Sequence, residues 1–278
     1  MSQLRPILVT ELLPELDELL ISLLSGLSER QWREPTVCPD WSVKDIAAHL
    51  LDGNIRRLSA QRDGFTPDLD VAPNSHRQLV DHLNNLNRTW IEATRRLSPR
   101  LLVELLQITG KQFCGLMQSL DPFEPALWPV AWAGESASAN WFDTAREYSE
   151  KWLHQQQIRL AVGAQSLTAR RLYFPVLDTF MRALPHAYRN AEAPDGTALQ
   201  FTVTGEAGGR WFLSRADGRW KLCGEAECDL AAQVEIGQDA AWLLFSKSLD
   251  ADRAREAISI AGDEELGSEV LRMICVMA

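Results

Sequence analysis

Trp41-Ser42-Val43-Lys44-Asp45-Ile46-Ala47-Ala48-His49-Leu50 is the stretch on which the reading of this chain turns. Ser42 is a strong helix N-cap. Asp45 stands at the third helical position, close to a capping box with Asp in place of Glu. Trp41 before the cap and Ile46 at the fourth helical position are placed to form a hydrophobic staple. These signals predict a helix from Val43 to about Gln61 with a fixed entry angle. The direction of His49 is therefore better determined than on a helix without marked ends. Asp45 lies four residues before His49 and shares its face.

Helical patterns extend on both sides of this stretch. Leu12, Leu13, Leu16, Leu19, Leu20, Leu23 and Leu24 recur at three-four spacing and predict a helix over about 10–25, with Gly26 as its stop. Glu34-Pro35-Thr36-Val37-Cys38-Pro39-Asp40 is a loop rich in turn formers. A third helix is expected over 75–97. A fourth opens at Ser98-Pro99 and runs to about Leu120, with a split expected near Gly110. The last runs from about Trp141 to Val162 and stops at Gly163. Helices joined this way predict an antiparallel bundle.

The character then changes. Ala198 to Thr204 and Arg210 to Ser214 alternate like strands, and Asp217-Gly218 is a hairpin signal between strand-like runs. Arg219 to Cys223, Ala231 to Ile236 and Ala257 to Ala261 are further expected strands. Helices are expected over about 171–184, 239–248 and 264–277. The fold class is thus a helical bundle followed by a smaller α+β domain with a mostly antiparallel sheet. The boundary gives domains 1–165 and 166–278.

A length of 278 residues agrees with two domains. The net charge is −10. The part up to residue 165 holds 16 basic and 21 acidic residues and the rest 12 and 17, so each carries −5. Neither has the basic surplus that binding a phosphate backbone requires, so nucleic acid is not expected as a partner. No apolar run approaches the roughly 18 residues of a membrane span. No secretory signal is read at the N-terminus, and the expected location is cytoplasmic. The five cysteines form no CxxC pair, and reduced, packed thiols are expected. Cys223 and Cys228 are close enough in sequence to meet across a turn. The oligomeric state is not legible.

The chemistry concentrates in Glu150-Lys151-Trp152-Leu153-His154. Four residues apart on a helix puts a carboxylate and an imidazole on one face. In a bundle the inward faces of neighbouring helices converge, so His49 can join them. Two nitrogens and one oxygen leave ligand positions open, as at catalytic zinc. The same set suits iron or nickel. The plain alternative is a solvated Glu/His pair worth a few tenths of a kcal/mol. His76, His82 and His186 are not expected to be ligands.

Pro39-Asp40-Trp41-Ser42-Val43-Lys44-Asp45-Ile46-Ala47-Ala48-His49-Leu50 resembles a signature of the mycothiol-dependent maleylpyruvate isomerase N-terminal domain, a branch of the DinB-like four-helix metalloproteins. Glu150 to Arg159 resembles the second signature of that domain. The C-terminal part, ending Ile258-Ser259-Ile260-Ala261-Gly262-Asp263-Glu264-Glu265-Leu266, is similar to the sterol-carrier-like domain that accompanies the bundle. The resemblance implies a divalent metal, zinc before nickel or iron, on His49, Glu150 and His154. It implies a low-molecular-weight thiol such as mycothiol as co-substrate. It also implies cis-to-trans isomerisation of maleylpyruvate, a small anionic substrate. A metal dication deprotonates a thiol, so no protein cysteine is required.

A dianionic substrate calls for a cation. Arg215 is the first candidate, with Arg210, Arg219 and Arg56 beside it. Asp45 is a candidate for orienting His49. Trp41 and Trp152 read as core packing. Two other functions stay open: a metal-dependent thiol S-transferase acting on another electrophile, and a non-catalytic metal- or ligand-binding module.

Overall fold

In this computed structural model the described residues are 4–65, 76–225 and 229–275. Helix α2 spans Val43–Arg57 and starts where its cap places it. The Ser42 side chain accepts from the Asp45 amide, and the Asp45 carboxylate accepts from the Ser42 amide at 2.9 Å. A π-helical turn, Leu58–Arg62, carries it on to the expected end.

Around α2 stand α1 (Leu13–Ser25), α3 (His76–Thr94), α4 (Pro99–Ser119) and α5 (Asn140–Val162). Of the α1 leucines, Leu13, Leu16, Leu20 and Leu24 are buried. Ser98 caps α4 by accepting from the Leu101 amide. The core of this region joins Leu20 and Leu24 to Val43, Ile46, Ala47, Leu50 and Leu51, and to Ile91, Leu102, Leu106 and Ile158. The Trp90 indole donates to the Ala48 carbonyl at 2.8 Å and ties α3 to α2.

The expected split of α4 at Gly110 does not occur; the helix is continuous. A Cβ at Gly110 would lie 2.4 Å from a carboxylate oxygen of Asp17 on α1. The glycine is thus a point of close approach between two helices rather than a break. Past the end of α5, Gly163 takes φ 66°, the left-handed conformation of a helix C-cap.

The second region is built on a five-stranded mixed sheet in the order β3-β2-β1-β4-β5. The strands are β1 (Ala198–Thr204), β2 (Gly209–Ala216), β3 (Arg219–Cys223), β4 (Leu230–Gly237) and β5 (Ile258–Gly262). The expected mostly antiparallel character holds, with β1 and β4 as the one parallel pair. Asp217 and Gly218 both have positive φ, 53° and 69°, as a tight type I′ hairpin turn needs.

Some helix bounds differ from expectation. The helix expected over 171–184 is two, α6 (Arg170–Met181) and α7 (Leu184–Ala187). Pro185 stands in the first turn of α7, where a proline starts a helix and cannot continue one. The remaining helices are α8 (Gln238–Phe245), α9 (Ala251–Glu256) and α10 (Glu264–Ser268). Helix α9 was not expected, although Asp250 caps it. After α10 the chain continues as a 3-10 turn over Glu269–Arg272, and the expected end at Met277 lies outside the described residues. The Tyr173 hydroxyl donates to the Gln238 carbonyl and the Tyr188 hydroxyl to that of Leu266, fastening helices to each other around the sheet.

The chain divides into two compact units. One takes α1 to α4 and residues 150–166; the other takes residues 128–149 and the sheet region. Helix α5 thus gives its first half to one unit and its second half to the other.

Candidate metal centre

His49 comes from the middle of α2, and Glu150 and His154 from the second half of α5. One ligand atom from each lies within 4.8 Å of the other two. The His154 Nε2 is 3.3 Å from Glu150 Oε2, as one helical turn allows. The two imidazole rings meet edge to face with centroids 4.7 Å apart. Donors bound about 2.1 Å from one zinc ion stand roughly 3.4 Å from each other in a tetrahedron. The Glu150–His154 pair stands at that spacing, and two imidazole nitrogens with one carboxylate oxygen are a donor set that could hold a single divalent ion. The His154 side chain is 10% exposed and that of Glu150 26%, so the pair is neither sealed nor free in water.

Trp41 packs against the core of the helical unit, as expected, and its ring also faces the site. It lies 5.0 Å from the His49 ring and 6.5 Å from that of His154, centroid to centroid. The preceding loop is held by its own hydrogen bonds. The Thr36 hydroxyl donates to the Trp41 carbonyl at 2.9 Å and accepts from the Cys38 amide at 3.1 Å. Asp40 takes a left-handed φ of 66° within it. The staple position of Trp41 thus also supplies a wall of the centre.

Two residues that the sequence reading passed over also belong here. Gln157 Oε1 is 2.8 Å from His154 Nδ1. The Gln157 amide also hydrogen-bonds the Cys38 side chain. Burial pushes the Cys38 thiol up to about 11, the Gln157 hydrogen bond opposes that, and the Glu150 charge adds to it. Cys38 is thus held as a thiol rather than a nucleophilic thiolate. The signal for Gln157 was its place three residues after His154, on the same helix face. No local signal marks Cys38.

The other candidates are placed as follows. Asp45 is engaged at the N-cap of α2. Trp152 is fully buried. Arg56 pairs with Asp52 at 3.4 Å. Arg215, on β2, donates to the Ala191 carbonyl at 2.9 Å and stands 5.7 Å from the centre of the Trp220 ring. Arg210 and Arg219 are exposed. Cys223 is a buried free thiol and Cys228 lies outside the described residues. His186 lies in α7 rather than a surface turn, with its ring against Gly134. Among the described residues no helix is long and apolar enough to cross a membrane.

The chain is similar to known proteins in sequence and in fold. The chain is 26% identical to a Mycobacterium tuberculosis protein described as uncharacterised, in strains CDC 1551 / Oshkosh and ATCC 25618 / H37Rv. That alignment covers 86% of this chain and 94% of the relative. Its fold is similar to a crystal structure of the mycothiol-dependent maleylpyruvate isomerase, with TM-score 0.54, 13% identity, and 91% and 92% of the two chains covered. A histidine-to-alanine mutant of that isomerase aligns with TM-score 0.50 at the same identity and coverage. The family model of the mycothiol maleylpyruvate isomerase N-terminal domain matches residues 13–159, a span that holds all three candidate ligands. The chain belongs to the mycothiol maleylpyruvate isomerase N-terminal domain family.

Proposed function

We propose that this protein is a metal- and thiol-dependent cis-trans isomerase acting on maleylpyruvate or a close analogue. The observation that carries the reading is the meeting of His49, Glu150 and His154 within 4.8 Å, inside the span that matches the family. These three residues would hold one divalent ion, with zinc first for two imidazoles and a carboxylate. When bound, a dication supplies a thiolate at neutral pH, where a free thiol is mostly protonated. The co-substrate is a low-molecular-weight thiol, mycothiol by family, and the protein works in the cytoplasm.

The chain's own residues prepare that chemistry. The α2 cap and the turn of α5 bring the three donors to one place. Trp41 shields the imidazoles with an apolar ring. Cys38 is not among the converging donors, so the nucleophile's role falls to the exogenous thiol. The reaction needs addition of sulfur to the electron-poor double bond, rotation about the single bond so formed, and elimination of the thiol. Arg215 is our candidate for the substrate carboxylates. Arg215→Ala is then expected to raise KM several-fold at unchanged metal content.

Metal analysis of the wild type beside His49→Ala and Glu150→Ala tests the centre. One equivalent in the wild type and substoichiometric metal in both variants are expected; full metal in either variant overturns the assignment. Turnover of maleylpyruvate by the metal-loaded protein with mycothiol, glutathione and bacillithiol tests the reaction. No turnover, with a thiol conjugate of another electrophile detected by mass spectrometry, moves the reading to an S-transferase. Neither turnover nor conjugate leaves a binding module.

A further inference from the structure

The metal centre explains why His49, Glu150 and His154 converge. It does not explain why a nearly inaccessible amide, Gln157 at 2% exposure, is spent on the far side of the His154 ring. We propose that Gln157 is a positioning residue of the centre: it fixes the metal-competent tautomer of His154, and does so without adding negative charge. This inference rests on the metal reading above.

The geometry runs as a chain of contacts. His154 turns Nε2 toward Glu150, at 3.3 Å, so Nε2 is the nitrogen that faces the cluster. For Nε2 to offer a lone pair, the ring proton must sit on Nδ1. The nearest acceptor for that proton is Gln157 Oε1 at 2.8 Å. An amide has one acceptor end and one donor end, so the carbonyl faces His154 only if the NH2 end is satisfied elsewhere. The Cys38 side chain interacts with the same amide. The loop carrying Cys38 is itself braced by Thr36. Turned over, the amide would present N–H to Nδ1 and leave the proton on Nε2, which then donates to Glu150 and ligates nothing.

The chemistry of the partner also matters. Metal-bound histidines are often paired with a carboxylate, which raises ligand basicity and adds a charge. Here the partner is neutral. A dication with one carboxylate ligand then keeps net positive charge, which favours an anionic sulfur. In an acidic chain of net charge −10, an uncharged partner preserves local attraction for anions.

Three forms of the full-length protein, wild type, Gln157→Leu and Gln157→Glu, distinguish the outcomes. Zinc affinity is read by competition with a chromophoric chelator. Thiol binding is read on the cobalt(II) form by the sulfur-to-cobalt charge-transfer band during titration with mercaptoethanol. Gln157→Leu is expected to lose about 10–100-fold in zinc affinity. Gln157→Glu keeps an acceptor for Nδ1 and is expected to bind zinc at least as tightly as the wild type. It is also expected to bind mercaptoethanol roughly tenfold more weakly, because a unit charge is added near the ion. Zinc affinity of Gln157→Leu within twofold of wild type overturns the positioning role, as does an equal loss in the Glu variant. Unchanged mercaptoethanol affinity in the Glu variant overturns the charge argument. If the Leu variant does not fold, Gln157→Met takes its place, with the same expected loss and the same overturning result. A wild type that binds no zinc refutes the metal reading itself, a result distinct from all of these.

Discussion

Asp17 is the residue with the least comfortable environment in the helical unit. Its Oδ1 is buried and accepts no hydrogen bond among the described residues. Burial raises its carboxyl above the usual value, and the nearby Lys151 charge offsets this only in part. A carboxyl whose folded pKa is raised keeps its proton in the native state after the unfolded chain has lost it. Stability from this group therefore falls as pH rises through the unfolded value near 3.8 and up to the raised folded value. Asp17→Asn is expected to be more stable than the wild type at pH 7 and no more stable at pH 3, as read from urea unfolding. Lys151 beside it is 6% exposed and donates to Asn54 Oδ1 at 2.6 Å, while Asn54 Nδ2 donates to the Thr109 hydroxyl. Asn54→Ala removes a hydrogen bond to a charged amine and is expected to cost about 1.5–3 kcal/mol in the same measurement.

At the scale of elements, the cap of α2 and the contact of α4 with α1 decide the helical unit. Ser42→Ala removes the acceptor for the Asp45 amide and is expected to cost about 1 kcal/mol in unfolding free energy. Gly110→Ala sets two effects against each other. Alanine gains about 1 kcal/mol in helix propensity over glycine. Its methyl would sit 2.4 Å from the Asp17 carboxylate, and overpacking of that kind costs about 1–3 kcal/mol. Net destabilisation is expected. A variant more stable than the wild type would show that the Asp17 side chain moves aside at little cost. The helix of residues 43–57 and the hairpin at Asp217-Gly218 were legible because cap and turn chemistry are local. The continuity of α4 was not, because the reason for Gly110 lies on another helix.

For the whole molecule, ligation of one ion by α2 and α5 would tie together segments far apart in the chain. An ion that binds the folded form alone stabilises it by about 2.7 kcal/mol when present at 100 times its dissociation constant. Calorimetry with and without zinc is expected to show that increment in the wild type and none in His49→Ala. An equal increment in both would place the stabilising ion elsewhere. The sheet region has its own core, with Tyr188 packed edge to face on Phe201 and Trp220. Tyr188→Phe leaves that packing and removes the hydrogen bond to Leu266, for an expected loss of about 1 kcal/mol.

The sequence by itself determined what depends on neighbours within a turn or two of chain. These are the start of α2, the shared face of Glu150 and His154, the I′ hairpin, and the change from helical to strand periodicity. Such features follow from backbone geometry and nearby hydrogen bonds, which a short segment carries within it. Only the tertiary structure decided that His49 meets the α5 pair, that Trp41 faces them, and that Gln157 and Cys38 stand behind His154. It also decided that β4 lies parallel to β1. Those arrangements arise where side chains from distant segments compete for one packed space, and no single segment records the outcome.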